Sequence, residues 1–130
     1  MTCVITAAKV TEFFKAEGLC PEGLPCRVEC ANNSACQEAT IRCPKDQPCH
    51  VVCDSKSLVK DSDDACKGAK IECGNGPCTV ECAKGDQQCR DTVVQCGPND
   101  CSASCAGMFK PTIDCGCAQT CSCEKQCHAG

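Results

Sequence analysis

Cysteine content is the feature that most constrains what this chain can fold into. Twenty-one of its 130 residues are Cys, well above the roughly 8–10% that marks a disulfide scaffold. Leu, Ile, Val and Phe together number 19, and Trp and Tyr are absent. Such a small apolar set cannot by itself offset the entropy of ordering the backbone. Because half-cystines are compact, apolar and cross-linking, we predict a disulfide-stapled fold made in an oxidising compartment.

The cysteines recur in a repeat of four units. Successive units start 23, 30 and 23 residues apart. The extra length of the second unit falls in one polar stretch, residues 54–65, which is typical of a loop insertion in a solenoid. The four units start at Cys20, Cys43, Cys73 and Cys96, and the last one ends at Cys115.

Each unit carries two short strand signals with period-two spacing. The first has the form C-x-V-x-C, and the second ends the unit in an alternating apolar pattern that finishes in Cys. Turn formers lie between the strands. The chain is therefore predicted to be all-β, a small disulfide-laddered parallel β-solenoid of about four two-strand rungs with a short N-terminal helical cap. The predicted disulfide core consists of Cys20, Cys26, Cys30, Cys36, Cys43, Cys49, Cys53, Cys66, Cys73, Cys78, Cys82, Cys89, Cys96, Cys101, Cys105 and Cys115.

The repeat also resembles a known class of sequence. The pattern C-P-x-x-x-P-C-x-V-x-C, followed by A-C-x-x-A-x-I-x-C, runs from Cys20 to about Cys115. It resembles cysteine-rich repeats of secreted bacterial and microbial eukaryotic proteins. That resemblance implies a secreted β-solenoid without a defined activity. Charged residues interrupt the apolar N-terminal stretch, which therefore does not read as a signal peptide. Either a leader has been removed or export takes another route.

The two ends differ from the repeats. Residues 1–19 are predicted to form a cap or docking segment, in which Thr6 caps a short helix. Phe13 and Phe14 are expected either to cover the first rung or to dock on another subunit. Residues 116–130 form a cysteine-rich tail.

An odd number of cysteines cannot all pair within one chain. Cys3 lies outside the four units and is the expected odd or intermolecular cysteine. The tail contains two C-x-C pairs that resemble metallothionein spacing, so a thiolate metal site is an alternative to oxidation there. In that alternative the metal ligands are Cys115, Cys117, Cys121, Cys123 and Cys127.

Nothing in the sequence resembles a catalytic site, so we expect no enzyme and no cofactor. His50 and His128 stand in no partner motif, and no single Cys is distinguished as a nucleophile. Asn32 begins an N-glycosylation sequon. An acidic run within residues 61–64 lacks the glycine and distal Glu of an EF-hand loop.

The charge pattern limits the possible partners. The net charge is −4 and no basic stripe is present, so no nucleic-acid partner is expected. No stretch approaches ~20 apolar residues, so no membrane span is expected. The predicted function is a non-enzymatic extracellular structural or surface protein that self-associates head to tail, as a fibre or as a matrix or cell-surface component. The alternatives are a monomeric secreted binding module (an effector, an inhibitor or a lectin-like protein) and a thiolate metal-binding protein.

Overall fold

The structure is a computed structural model that describes residues 2–7, 13–17, 20–32, 34–54, 64–83, 88–97, 101–105 and 112–115, and for residues 104, 105 and 113–115 the backbone alone. Within these residues the regular structure is entirely β, and no helix there could cross a membrane. The strands are β1 (Cys3–Ala7), β2 (Cys26–Cys30), β3 (Thr40–Arg42), β4 (Cys49–Cys53), β5 (Lys70–Glu72), β6 (Cys78–Cys82), β7 (Val93–Cys96), β8 (Cys101–Cys105) and β9 (Thr112–Cys115).

The strands form two parallel sheets, which confirms the predicted solenoid. The first sheet has the order β1-β2-β4-β6-β8 and the second has the order β3-β5-β7-β9. From β2 onward, successive strands alternate between the sheets, so each turn of the chain adds one strand to each. We call such a turn a rung. The five rungs span residues 3–20, 26–43, 49–73, 78–96 and 101–115.

In the described residues, the core between the sheets consists mainly of Val, Ile, Ala and half-cystine side chains. At the central inward position, β2, β4 and β6 of the first sheet contribute Val, and β3, β5 and β7 of the second contribute Ile or Val. Parallel pairing in register stacks these residues directly above one another. The stacked residues, all fully buried, are Val28, Val51 and Val80 in the first sheet and Ile41, Ile71 and Val94 in the second.

Two columns of disulfides flank this core. The junction column joins the end of one rung to the start of the next. The turn column closes the corner between the two strands of one rung. All of these bonds link cysteines that lie 5 to 13 residues apart. The junction column comprises Cys20–Cys26, Cys43–Cys49, Cys73–Cys78 and Cys96–Cys101, and the turn column comprises Cys30–Cys36, Cys53–Cys66 and Cys82–Cys89.

The turn column repeats an unusual backbone conformation. Cys36 has a φ of 60° and Glu38 a φ of 55°. The same left-handed pair recurs at Cys66 and Gly68, and again at Cys89 and Asp91. A non-glycine residue in this region costs about 1–2 kcal/mol. Backbone hydrogen bonds between rungs offset that cost, for example from Glu38 N–H to the Lys67 carbonyl at 2.8 Å.

Glycine follows the junction cysteine where successive corners pack closely. A Cβ on Gly97 would lie 2.0 Å from the carbonyl oxygen of Gly74, and a Cβ on Gly74 would lie 2.1 Å from that of Pro44. No side chain fits between these backbones, so the two positions require glycine.

The predicted helix start at Thr6 is wrong, because Thr6 lies within β1. Residues 13–17 also contain no helix, and residues 8–12 lie outside the described part of the chain. Instead, β1 pairs in register with β2, so that Cys3 lies beside Cys26. Glu17 forms a parallel bridge with Thr40. Both pairs are 23 residues apart, which is the spacing of the repeat, so the N-terminal segment is a first rung without the full cysteine pattern.

Two apolar residues replace the turn disulfide in this first rung. Ala7 lies beside Cys30 in register, and Phe13 precedes Cys36 by the same 23 residues and has a matching φ of 62°. Ala7 is fully buried and Phe13 packs against the core. Phe14, in contrast, is 43% exposed. Of the two aromatic residues predicted to cover the rung or dock elsewhere, one therefore contacts the core of its own chain.

This equivalence predicts that the double variant Ala7→Cys, Phe13→Cys forms the missing turn disulfide. The new bond closes a short loop worth about 2 kcal/mol, offset by the loss of Phe13 packing, and position 7 is fully buried, so a count of free thiols in denaturant without reductant is the informative measurement. The double variant should expose no more free thiol than wild type. Ala7→Cys alone, the matched control, should expose one more thiol. Two additional thiols in the double variant would show that residues 3–20 do not repeat the geometry of the other rungs.

Candidate functional site

A ladder of polar side chains occupies the outward face of the first sheet. Strand alternation directs the residues between the core cysteines and valines away from the core. Arg27 lies beside His50 in register, and His50 lies beside Thr79. A second outward row places Val52 between Glu29 and Glu81. The structure shows how the side chains of these two rows connect.

Hydrogen bonds join the ladder into one network. Arg27 Nε donates to Glu29 Oε2 at 2.7 Å, and Arg27 Nη1 lies 2.8 Å from His50 Nδ1. His50 Nε2 lies 2.7 Å from Glu81 Oε2. Because a guanidinium can only donate, His50 Nδ1 must accept, and the proton of the neutral ring is on Nε2, which donates to Glu81. Both ring nitrogens of His50 are therefore engaged within the network.

An open groove borders this network on the side where the strands of the first sheet begin. Its volume is about 390 Å³, which falls in the range of small-ligand sites. Its lining includes three prolines together with Arg27, His50 and Thr79. The prolines are Pro25, Pro48 and Pro77, each directly before the first cysteine of a strand.

The fourteen cysteines of the two columns were all predicted as core cysteines. The backbones of Cys105 and Cys115 lie in β8 and β9, but their side chains are outside the described atoms. Cys3 is a free, partly exposed thiol. The remaining tail cysteines and His128 lie outside the described residues. The thiolate site predicted for the tail is thus not among the described parts of the chain.

One close group of sulfurs occurs within the junction column. The Sγ atoms of Cys43, Cys73 and Cys78 lie within 4.8 Å of one another. All three are in disulfides, so none presents the thiolate that binds a soft metal. The proximity shows how closely the disulfides of successive rungs stack.

The predicted sequon lies in the turn after β2. Asn32 is partly buried there, and its backbone carbonyl accepts from Ala35 N–H at 3.1 Å. The Ser34 hydroxyl donates to Asp64 Oδ2 at 3.0 Å, and Ser34 N–H donates to Asp64 Oδ1 at 2.6 Å. Asp64 thereby ties this turn to the end of the inserted loop. Glycosylation of Asn32 stays a prediction.

The two ends of the first sheet carry backbone groups that no described strand pairs with. Inside the sheet, the first cysteine of each strand donates its N–H to the following rung: Cys26 N–H binds the Pro48 carbonyl at 2.9 Å, and Cys3 N–H binds that of Pro25 at 2.8 Å. Along a parallel strand, the backbone N–H and C=O groups of successive residues point alternately to the two neighbouring strands. The groups of the intervening residues therefore point to the preceding rung. On β1 these are Val4 and Thr6, so their N–H and C=O groups lie on its free edge.

No protein-family model, curated protein or solved structure matches this chain. The resemblance to secreted cysteine-rich repeats therefore stays a prediction. The structure itself supports a coarser statement. The chain is an all-β, disulfide-stabilised protein, and its disulfide density is typical of extracellular proteins.

The network predicts the tautomer of His50. At a pH where the ring is neutral, ¹⁵N NMR should show a protonated Nε2 and an unprotonated Nδ1. Arg27→Leu, which removes the donor to Nδ1, should let the Nδ1–H tautomer appear. A wild-type spectrum dominated by the Nδ1–H form would contradict the bond between Arg27 and His50.

Proposed function

We propose that this protein is a non-enzymatic, secreted structural protein that self-associates end to end into a fibre or surface assembly. The observation that supports this proposal is the complementarity of the two edges of the first sheet that no described strand pairs with. Unpaired strand edges are templates for pairing with another chain. A head-to-tail contact generates an open filament when the rotation between successive copies does not close them into a ring.

The N-terminal edge presents a specific set of groups. Val4 and Thr6 occupy the positions that Arg27 and Glu29 hold in the next rung. There, the corresponding backbone groups bond the preceding rung, as Ala31 N–H does to the Ala7 carbonyl at 2.9 Å. β1 therefore presents to a second copy the same backbone N–H and C=O groups with which every later strand bonds the strand before it.

The C-terminal edge presents the opposite set. β8 pairs with β6 in register, with Cys101 beside Cys78 and Ala103 beside Val80. Residues at these positions bond the following rung, as Cys49 N–H does to the Pro77 carbonyl at 2.8 Å. β8 of one copy can therefore pair with β1 of the next, with the geometry of an internal rung.

Side chains and charge modulate this contact. Val4 is 55% exposed and Ile5 is partly exposed, so stacking buries apolar surface at the N-terminal end. Each copy carries a net charge of −4, which opposes association. Because added salt screens that repulsion, assembly should strengthen with ionic strength.

The edge contact predicts that Val4→Pro weakens assembly without unfolding the chain. Proline lacks an N–H and cannot sit within a paired edge, but the Val4 N–H is not used to bond β2. Losing one main-chain hydrogen bond and adding a clash should raise the concentration needed for assembly by about tenfold or more. Light scattering and electron microscopy measure assembly, and circular dichroism measures folding.

Val4→Thr is the matched control, since it keeps the N–H and the β-branched shape, and it should assemble like wild type. A wild-type protein that stays monomeric at high concentration would contradict the proposal. So would a folded Val4→Pro variant that assembles as readily as Val4→Thr.

A second candidate function is a secreted binding module, which the groove beside the polar ladder favours. Proline rings supply flat apolar surface, Thr2 and Thr79 supply hydroxyls, and Arg27, which also pairs with Glu29, supplies a guanidinium group. An acidic oligosaccharide matches this set, because its carboxylates pair with guanidinium and its rings have apolar faces.

This alternative predicts that Arg27→Gln weakens binding of an oligo-uronic acid by at least about tenfold, the equivalent of about 1.4 kcal/mol. Arg42→Gln, on the outward face of the other sheet, is the control and should have no effect. Calorimetry measures how tightly each variant binds the acidic oligomer and a neutral oligomer of equal length. Equal effects of the two substitutions, or no binding by wild type, would exclude the groove as a site for acidic sugars.

A further inference from the structure

Within the described rungs, the junction column ends with Cys3 on one side and Cys115 on the other, and the positions of these two cysteines are complementary. We propose that Cys115 of one copy forms a disulfide with Cys3 of the next copy. This inference rests on the proposed end-to-end assembly and adds a covalent link to it. The argument uses the register of the two sheets and the pattern of the four internal junctions.

Cys3 occupies the position at which each rung begins. It lies beside Cys26, which lies beside Cys49, and the series continues through Cys78 to Cys101. The four later members are each bonded to the cysteine that ends the rung before them. No described rung precedes Cys3, and its thiol is free and partly exposed.

Cys115 occupies the position at which each rung ends. Its backbone lies beside that of Cys96 in register. The equivalent residues of the earlier rungs are Cys20, Cys43 and Cys73, and each is bonded to the cysteine that starts the next rung. In a head-to-tail stack of the described rungs, the rung that follows Cys115 is the first rung of another copy.

The geometry of the boundary follows from the internal junctions. The four junction disulfides have Cα–Cα distances of 5.6–5.9 Å, inside the range that a disulfide requires. If β8 and β1 of successive copies pair as internal strands do, Cys115 and Cys3 meet at this same separation. Within one chain they stand at opposite ends, about four rung steps or roughly 19 Å apart. They can therefore pair only between copies.

The bond needs an oxidant, which a small-molecule disulfide supplies. The Cys3 thiolate attacks one sulfur of the small disulfide, forms a mixed disulfide and releases one thiol. The Cys115 thiolate then attacks the Cys3 sulfur and releases the second thiol. Two protein thiols are oxidised, one small disulfide is reduced, and the protons end on the released thiols. Stacking raises the effective concentration of Cys115 at Cys3 and so favours the second step.

Mixing two single variants in a glutathione redox buffer tests the link. Cys3→Ser keeps only the Cys115 end, and Cys115→Ser keeps only the Cys3 end. Each variant alone should give no covalent product through this link, and an equimolar mixture should give covalent dimers and stop there. Wild type should give a ladder of covalent multimers on a non-reducing gel. Mass spectrometry should find the peptide pair joined through Cys3 and Cys115, and circular dichroism confirms that each variant is folded.

Electron microscopy of the same samples separates the two proposals. Fibres of wild type without the Cys3–Cys115 peptide pair would overturn the covalent link and leave end-to-end assembly standing. Covalent dimers of Cys115→Ser alone, joined through two copies of Cys3, would also overturn the link, because they place like ends together. Wild type that shows neither fibres nor covalent multimers would overturn both proposals.

Discussion

Two columns of disulfides flank a thin core, and the rest of the structure depends on this covalent cross-linking. The inward side chains are mainly Val, Ile, Ala and half-cystine, so the apolar surface available for burial per residue is small. A short-range disulfide contributes up to about 2–3 kcal/mol by restricting the unfolded chain. Each rung from the second to the fourth contains one turn bond and is joined to both neighbouring rungs by junction bonds. The sulfur atoms therefore fill the core and also hold successive rungs in register.

Register connects the fold to function. Since every paired strand repeats the alignment of its neighbours, equivalent residues form ladders on both outer faces, and Arg27, His50 and Glu81 come within hydrogen-bond distance. The same repetition leaves the first and last rungs with complementary backbone edges. An assembly of copies would thus reuse the pairing that builds a single chain.

Much of this architecture could be predicted from cysteine spacing, because the C-x-V-x-C pattern indicates where a strand lies and which of its side chains face the core. The first rung was missed since Ala7 and Phe13 replace its turn disulfide, and an alignment on cysteine therefore begins at Cys20. Stacking on β2 overrides the local helical pattern around Thr6. Pairing within the columns stayed open, because many connectivities suit the same spacing. The His50 network required side-chain positions that register alone does not supply.

Disulfide mapping of the oxidised, folded protein tests the central claim most directly. Proteolysis without reduction, followed by mass spectrometry, should recover the junction and turn pairs, including Cys53–Cys66, whose cysteines are 13 residues apart. That bond is the most informative test of the fold, because the two-column arrangement requires this pairing across the inserted loop and an unrelated fold does not. Recovery of Cys53 bonded to a junction cysteine, or of most column cysteines as free thiols, would contradict the two-column solenoid.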